Sequence, residues 1–192
     1  MLDLGPATRT VADVVANVRD DQLNDRTPCD SYTVGDLLDH VNGLSYAFAR
    51  AAQKDPVDGS GNGDGSRLPA DWRESIPQRL NELAESWRDP AAWTGDTAAG
   101  GVDLDGNTAG QVATNEVVVH GWDLARATGQ EYAMDEESVA AATAFVALFS
   151  GPGTEEMRGD GAFGPEVEPP ADATPLERLI AMNGRDPRWA AS

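Results

Sequence analysis

Glu116, His120 and Asp123 stand at i, i+4 and i+7 in the stretch Thr114-Asn115-Glu116-Val117-Val118-Val119-His120-Gly121-Trp122-Asp123-Leu124. At about 100° per residue a helix projects all three within roughly 40° of one line, so a single face carries a carboxylate, an imidazole and a second carboxylate. The chain has two histidines. The other, His40, falls in Leu37-Leu38-Asp39-His40-Val41, on a second predicted helix far away in sequence. If those helices pack together, His40, Glu116 and His120 can share one metal ion. Two histidines and a glutamate are the ligand set of many catalytic zinc sites, where a fourth position stays open for water or substrate. Ligand type favours zinc, and nickel, iron and cobalt also accept nitrogen and oxygen donors. Asp123 is the candidate to support a ligand from behind, with a surface pair to Arg126 as its other reading.

Each of these residues also has a plainer reading, and the residues alone leave it open. A histidine on an apolar helix face is more often a hydrogen-bonded core residue, and Glu-x-x-x-His is usually a solvated helix pair. Against that, Val112, Val117, Val119 and Leu124 make the second helix apolar on most sides, which predicts burial, and a buried carboxylate needs a partner. Asp36, four before His40, could orient its imidazole, although a capping role already accounts for it. Cys29 as a nucleophile lacks a further histidine to activate it and reads as apolar filler. Arg126, Arg185 and Arg188 could hold a substrate carboxylate, but structural ion pairs fit them better. Trp122 reads as core.

The positioning elements are helices. Val11, Val14, Val15 and Val18 predict a first helix over residues 8–19. Thr33-Val34-Gly35-Asp36 is a capping box, and the helix after it runs to residue 53 with Val34, Leu37, Leu38, Val41, Leu44 and Phe48 as its stripe. That stripe turns His40 inward or to the core edge. Residues 58–66 are glycine-rich and polar, expected to form a mobile tether; without a preceding strand or a Lys-Ser/Thr ending they make a poor phosphate loop. A third helix over 71–88 contains Pro77, which should kink it or delay its start. A short hairpin or extended loop is expected within 93–106. Thr108-Ala109-Gly110-Gln111 reads as the cap of the Glu116/His120 helix, with Gly129 as its left-handed stop. Asp135 caps a fifth helix over 136–149, residues 151–173 form a long loop, and Thr174-Pro175-Leu176-Glu177 opens a last helix that Gly184 ends. The expected fold is all-α: a four-helix bundle with additional C-terminal helices and at most a short β-hairpin, residues 1–192 forming one domain.

Composition narrows the partners. A net charge of −19 repels phosphate backbones and anionic lipid surfaces, so neither nucleic acid nor a membrane is an expected partner. No run of 18 apolar residues is present, and Met1-Leu2-Asp3-Leu4-Gly5-Pro6 has no signal-peptide character. With one cysteine, Cys29, no intramolecular disulfide can form. The expected compartment is the cytoplasm.

Four motifs appear in order: Thr27-Pro28-Cys29; Tyr32-Thr33-Val34-Gly35-Asp36-Leu37-Leu38-Asp39-His40; Glu116-x-x-x-His120-Gly121-Trp122-Asp123-Leu124-Ala125-x-Ala127-Thr128-Gly129; and Gly184-Arg185-Asp186-Pro187-x-Trp189. Together they resemble the actinobacterial branch of the DinB/YfiT-like metal-binding proteins, relatives of the N-terminal domain of mycothiol-dependent maleylpyruvate isomerase. The resemblance spans nearly the whole chain. It implies a four-helix bundle with a divalent metal, usually zinc, held at the positions of His40, Glu116 and His120. It also implies mycothiol, bacillithiol or a similar thiol as cosubstrate, whose sulfur the metal deprotonates for attack on a small electrophile, in a transferase or isomerase reaction. The chain ends soon after the bundle, where the isomerase has a further domain, so isomerisation of maleylpyruvate itself is not expected. Two other readings remain: a metal-dependent hydrolase with water in the open position, assisted by Asp123 or Glu116, and a non-catalytic metal-binding or stress-response bundle.

Overall fold

A computed structural model of the chain describes residues 1–57, 62–154, 158 and 163–191. Six helices and one hairpin follow in the order α1 (Gly5–Ala16), α2 (Val34–Ala52), α3 (Trp72–Ser86), β1 (Asp96–Ala99), β2 (Val102–Asp105), α4 (Gly106–Ala127), α5 (Glu136–Val146) and α6 (Pro175–Met182). Four of them close a ring: α1 packs on α3, α3 on α2, α2 on α4 and α4 on α1. The fold is thus all-α apart from the two-stranded antiparallel hairpin. The hairpin lies between α3 and α4 in the chain and packs on α2 and α4; α5 and α6 pack against each other beside the bundle, with α5 also on α4.

The apolar stripes do what their spacing dictates. Leu37, Leu38, Val41 and Leu44 of α2, Val11 and Val15 of α1, Ile76, Leu80 and Leu83 of α3, and Val117, Val118 and Leu124 of α4 are all buried in one core. Each such side chain contributes about 1.5–3 kcal/mol by leaving water. Trp87 is also buried and donates its indole N–H to the Phe48 carbonyl at 3.1 Å, tying the end of α3 to α2. Val119, Trp122 and Ile180 form a smaller cluster that fastens α6 to the outer side of α4. Trp122 is core, as its spacing implied.

Several boundaries depart from the sequence reading. α1 starts three residues early, because Pro6 sits in the first turn, where a missing N–H costs nothing. α4 begins at Gly106, not at the Thr108 box. Asp105 is the cap, accepting the Thr108 N–H at 3.0 Å and the Thr108 hydroxyl at 2.6 Å; an ionised carboxylate is the stronger acceptor and wins the competition. Helix α3 runs through Pro77 unbroken, and α5 gives way to a 3-10 turn at Ala147–Phe149. The Thr33 and Thr174 capping boxes are both present.

In the glycine-rich stretch, residues 58–61 lie outside the described ones, and so do 155–157 and 159–162 of the long loop. The described part of the glycine-rich stretch is not the free tether expected of it. The backbone N–H groups of Gly63, Asp64 and Gly65 donate to the Tyr32 hydroxyl, Asp39 and Asp36 at 3.2, 3.0 and 2.7 Å. Half-buried carboxylates of α2 thus order a segment whose composition alone resists ordering. None of the described helices is long and apolar enough to cross a membrane.

Candidate metal centre

The α2 stripe that buries Leu37 and Leu44 leaves His40 at the margin of the core, with 18% of its side chain exposed. On the facing side of α4 the exposures of Glu116, His120 and Asp123 fall along the helix from 25% to 9% to 0%. α2 and α4 are neighbours in the ring, so both imidazoles meet the glutamate. Glu116 Oε2 lies 3.1 Å from His120 Nε2 and 3.5 Å from His40 Nε2, and the imidazole rings stand edge to face at 4.9 Å. Two donors each about 2.0–2.1 Å from a tetrahedral ion sit about 3.3 Å apart, and the observed spacings straddle that value. One nitrogen or oxygen from each of the three residues lies within 4.8 Å of the others. The donor set therefore fits a divalent ion in both chemistry and spacing.

The electrostatics agree. Burial alone would raise the Glu116 carboxyl, yet hydrogen bonds with His120 and His40 outweigh it and hold the group well below the usual carboxylate range. Burial alone would lower His120; its bonds to Asp123 and Glu116 reverse that and push it up to about 9. The pocket between two carboxylates thus calls for positive charge, which a proton on His120 or a cation among the three donors can supply.

Asp123 corrects the surface reading. It is fully buried, with Oδ2 3.0 Å from His120 Nδ1 and 3.1 Å from Arg185 Nη2. Arg126 instead lies over the Trp122 ring and donates to the Trp189 carbonyl at 3.1 Å. Asp36 makes no bond to His40, because Thr33 and Gly65 take both its oxygens. Instead His40 packs against Tyr32, with ring centroids 5.3 Å apart, and its Nδ1 is buried without a hydrogen-bond partner. Cys29 is not apolar filler: its sulfur lies within 4.8 Å of ligand atoms of His120 and Asp123. Burial pushes the thiol up, with Arg185 pulling partly the other way.

His40, Glu116, His120 and Cys29 line a cavity of about 930 Å³. Residues 28–32 form one wall, and residues 163–167 and 183–185 form another. Sequence reasoning missed Tyr32, the roles of Cys29 and Arg185 at the site, and the buried pair of Asn115 with Asn183, whose amides exchange hydrogen bonds of 3.0 and 3.3 Å. The four-motif resemblance contained Tyr32, Cys29 and Arg185, but nothing in their spacing announced contact with the histidines.

Residues 4–125, which include both histidines, Glu116 and Asp123, match the family model for the mycothiol maleylpyruvate isomerase N-terminal domain. Two uncharacterized proteins of Mycobacterium tuberculosis, from strains CDC 1551 / Oshkosh and ATCC 25618 / H37Rv, are each 32% identical over 182 residues, covering 92% of this chain and 92% of their own. No solved structure matches the chain. The ordered motifs, the helical bundle and these matches over most of the sequence place the chain in the mycothiol maleylpyruvate isomerase N-terminal domain family.

Proposed function

We propose that this chain is a cytoplasmic, metal-dependent enzyme that uses mycothiol or a similar small thiol to attack a small electrophile, as a transferase or isomerase, with His40, Glu116 and His120 holding zinc. The observation that carries the reading is the spacing of the three donors, 3.1 and 3.5 Å around Glu116 Oε2, at the floor of an open cavity. When bound, a divalent ion there supplies Lewis acidity that draws the proton from a thiol sulfur at neutral pH.

The protein's own groups do the rest. Glu116 brings the one negative charge among the ligands, and Asp123 engages His120 Nδ1 so that Nε2 is free to face the ion. Val119 and Phe163 offer apolar surface in the cavity, while Asn62 and Ser31 offer hydrogen bonds. That mixture suits a sugar-like thiol and a small carbon electrophile better than a phosphorylated one, because Arg185, the one arginine or lysine among the described residues that line the cavity, is already paired with Asp123.

The test is metal analysis followed by turnover. Purified protein should hold about one zinc per chain, lost in His120→Ala, and should accelerate conjugation of mycothiol to a chlorobimane. A rate no higher than that of His40→Ala refutes the thiol reaction. One tightly held ion without any thiol-dependent turnover would favour the non-catalytic metal-binding alternative.

A further inference from the structure

Arg185 lies 62 residues beyond Asp123 and outside residues 4–125 that carry the family match, yet it reaches the carboxylate behind His120. Its Nη2 is 3.1 Å from Asp123 Oδ2 and its Nε is 3.4 Å from Oδ1, a two-pronged contact, while Nη1 donates to the Asn183 carbonyl at 2.8 Å. We infer that Arg185 is a positioning residue for the metal centre: it fixes the plane of the Asp123 carboxylate, which fixes the ring of His120. The inference rests on the metal reading of His40, Glu116 and His120.

The physical need is plain. The terminal torsions of aspartate and histidine are soft and broad, so a lone Asp123–His120 bond leaves both groups free to swing together. A guanidinium fork engages both carboxylate oxygens in one plane and removes that freedom. It also offsets a buried negative charge that would otherwise stand uncompensated whenever His120 is neutral, the form a ligand requires.

The chain goes to some length to bring Arg185 there. Gly184 adopts φ +82°, and a Cβ on it would stand 2.8 Å from Gly164 backbone atoms, so the turn after α6 needs glycine for conformation and for clearance. Arg158 clasps the same junction, donating to the carbonyls of Gly164 and Met182. The neighbouring Asn183 pairs with Asn115. Segment 183–185 therefore grips α4 at Asn115, just before Glu116, and at Asp123, just after His120. The two ligands sit between its two attachments.

The test uses the full chain, with zinc affinity measured by competition against a chromophoric chelator and coordination read from the visible spectrum of the cobalt-loaded protein. Arg185→Ala should weaken zinc binding by about 10–100-fold and alter the cobalt bands, while the far-ultraviolet circular dichroism of the metal-free chain stays that of the wild type. Arg185→Lys restores charge but not the fork, and should recover only part of the affinity. Arg188→Ala, whose exposed side chain pairs with Asp186, should match the wild type. Affinity within about two-fold of wild type and an unchanged cobalt spectrum in Arg185→Ala would overturn the inference. If Arg185→Ala does not fold, Arg185→Lys decides: unchanged affinity and bands refute the positioning role, and a loss supports it. A wild-type chain that holds no ion in the same titration overturns the metal reading itself, whereas an ion that depends on His120 but not on Arg185 overturns only this step.

Discussion

At the residue scale the centre is an exchange between a proton and an ion. In the metal-free chain His120 is raised to about 9 by Asp123 and Glu116 against the effect of burial, so at neutral pH its imidazole carries a proton that a metal must displace. Zinc uptake at about pH 7 should release close to one proton from this group. The apparent affinity should climb about tenfold per pH unit on this account up to about pH 9 and then level off. Calorimetry in buffers of different protonation enthalpy measures the proton count directly; uptake with none released would contradict the arrangement. The same shift sets the stability of the metal-free protein. A folded-state value above the unfolded 6.5 means that the His120 contribution is complete below about pH 6.5 and is lost as pH rises through about 9. Glu116, held low, contributes fully above about pH 4.5 and loses that contribution in acid. Thermal melts of the metal-free chain should therefore fall between about pH 6.5 and 9.5, and His120→Ala should flatten that decline.

At the element scale the question is what holds α4 in register, since it carries two of the three donors. Its start is set by Asp105, so Asp105→Ala should cost about 1 kcal/mol of stability, and Thr108→Ala less, because the Thr108 backbone N–H still has its acceptor. Chemical denaturation of the two variants checks the order; the reverse order would reinstate the Thr108 box. Gly121 fixes the helix sideways. A Cβ there would meet Val11 at 2.4 Å and the Tyr132 hydroxyl at 2.5 Å, so Gly121→Ala should force α1 and Tyr132 away and cost about 1–3 kcal/mol. Much of this was legible from sequence. Apolar spacing marked α2 and α4, and helical spacing put Glu116 and His120 on one face. The contact of α2 with α4 was not in any local signal; it follows from the order in which the four helices close their ring. Asp105 was hidden because two capping signals lie three residues apart and periodicity does not rank them. Cys29 and Arg185 escaped because they stand on irregular segments, where no period says which way a side chain points.

At the scale of the whole molecule the proposed ion acts as a staple. It would join α2 to α4, the first ligand to the last across 80 positions of chain, in a protein whose net charge of −19 already opposes compaction. The core is large enough to fold the bundle without it, as the buried stripes of all four helices show, so metal removal should loosen the fold and not abolish it. An ion present at 1,000 times its Kd adds roughly 4 kcal/mol, which for a chain of this size raises the melting temperature by roughly 10 °C. Chelation should lower the melting temperature of the wild type by that amount, and zinc should restore it. His40→Ala should melt near the chelated wild type and His120→Ala below it, since that variant also loses the imidazole's pairing with Asp123 and Glu116, and both should respond little to either reagent. Added salt separates this staple from simple charge screening, because screening should stabilise the wild type and the histidine variants alike. If zinc raised all of them equally, the ion would be neutralising the acidic surface, and the three donors between α2 and α4 would have no special claim to it.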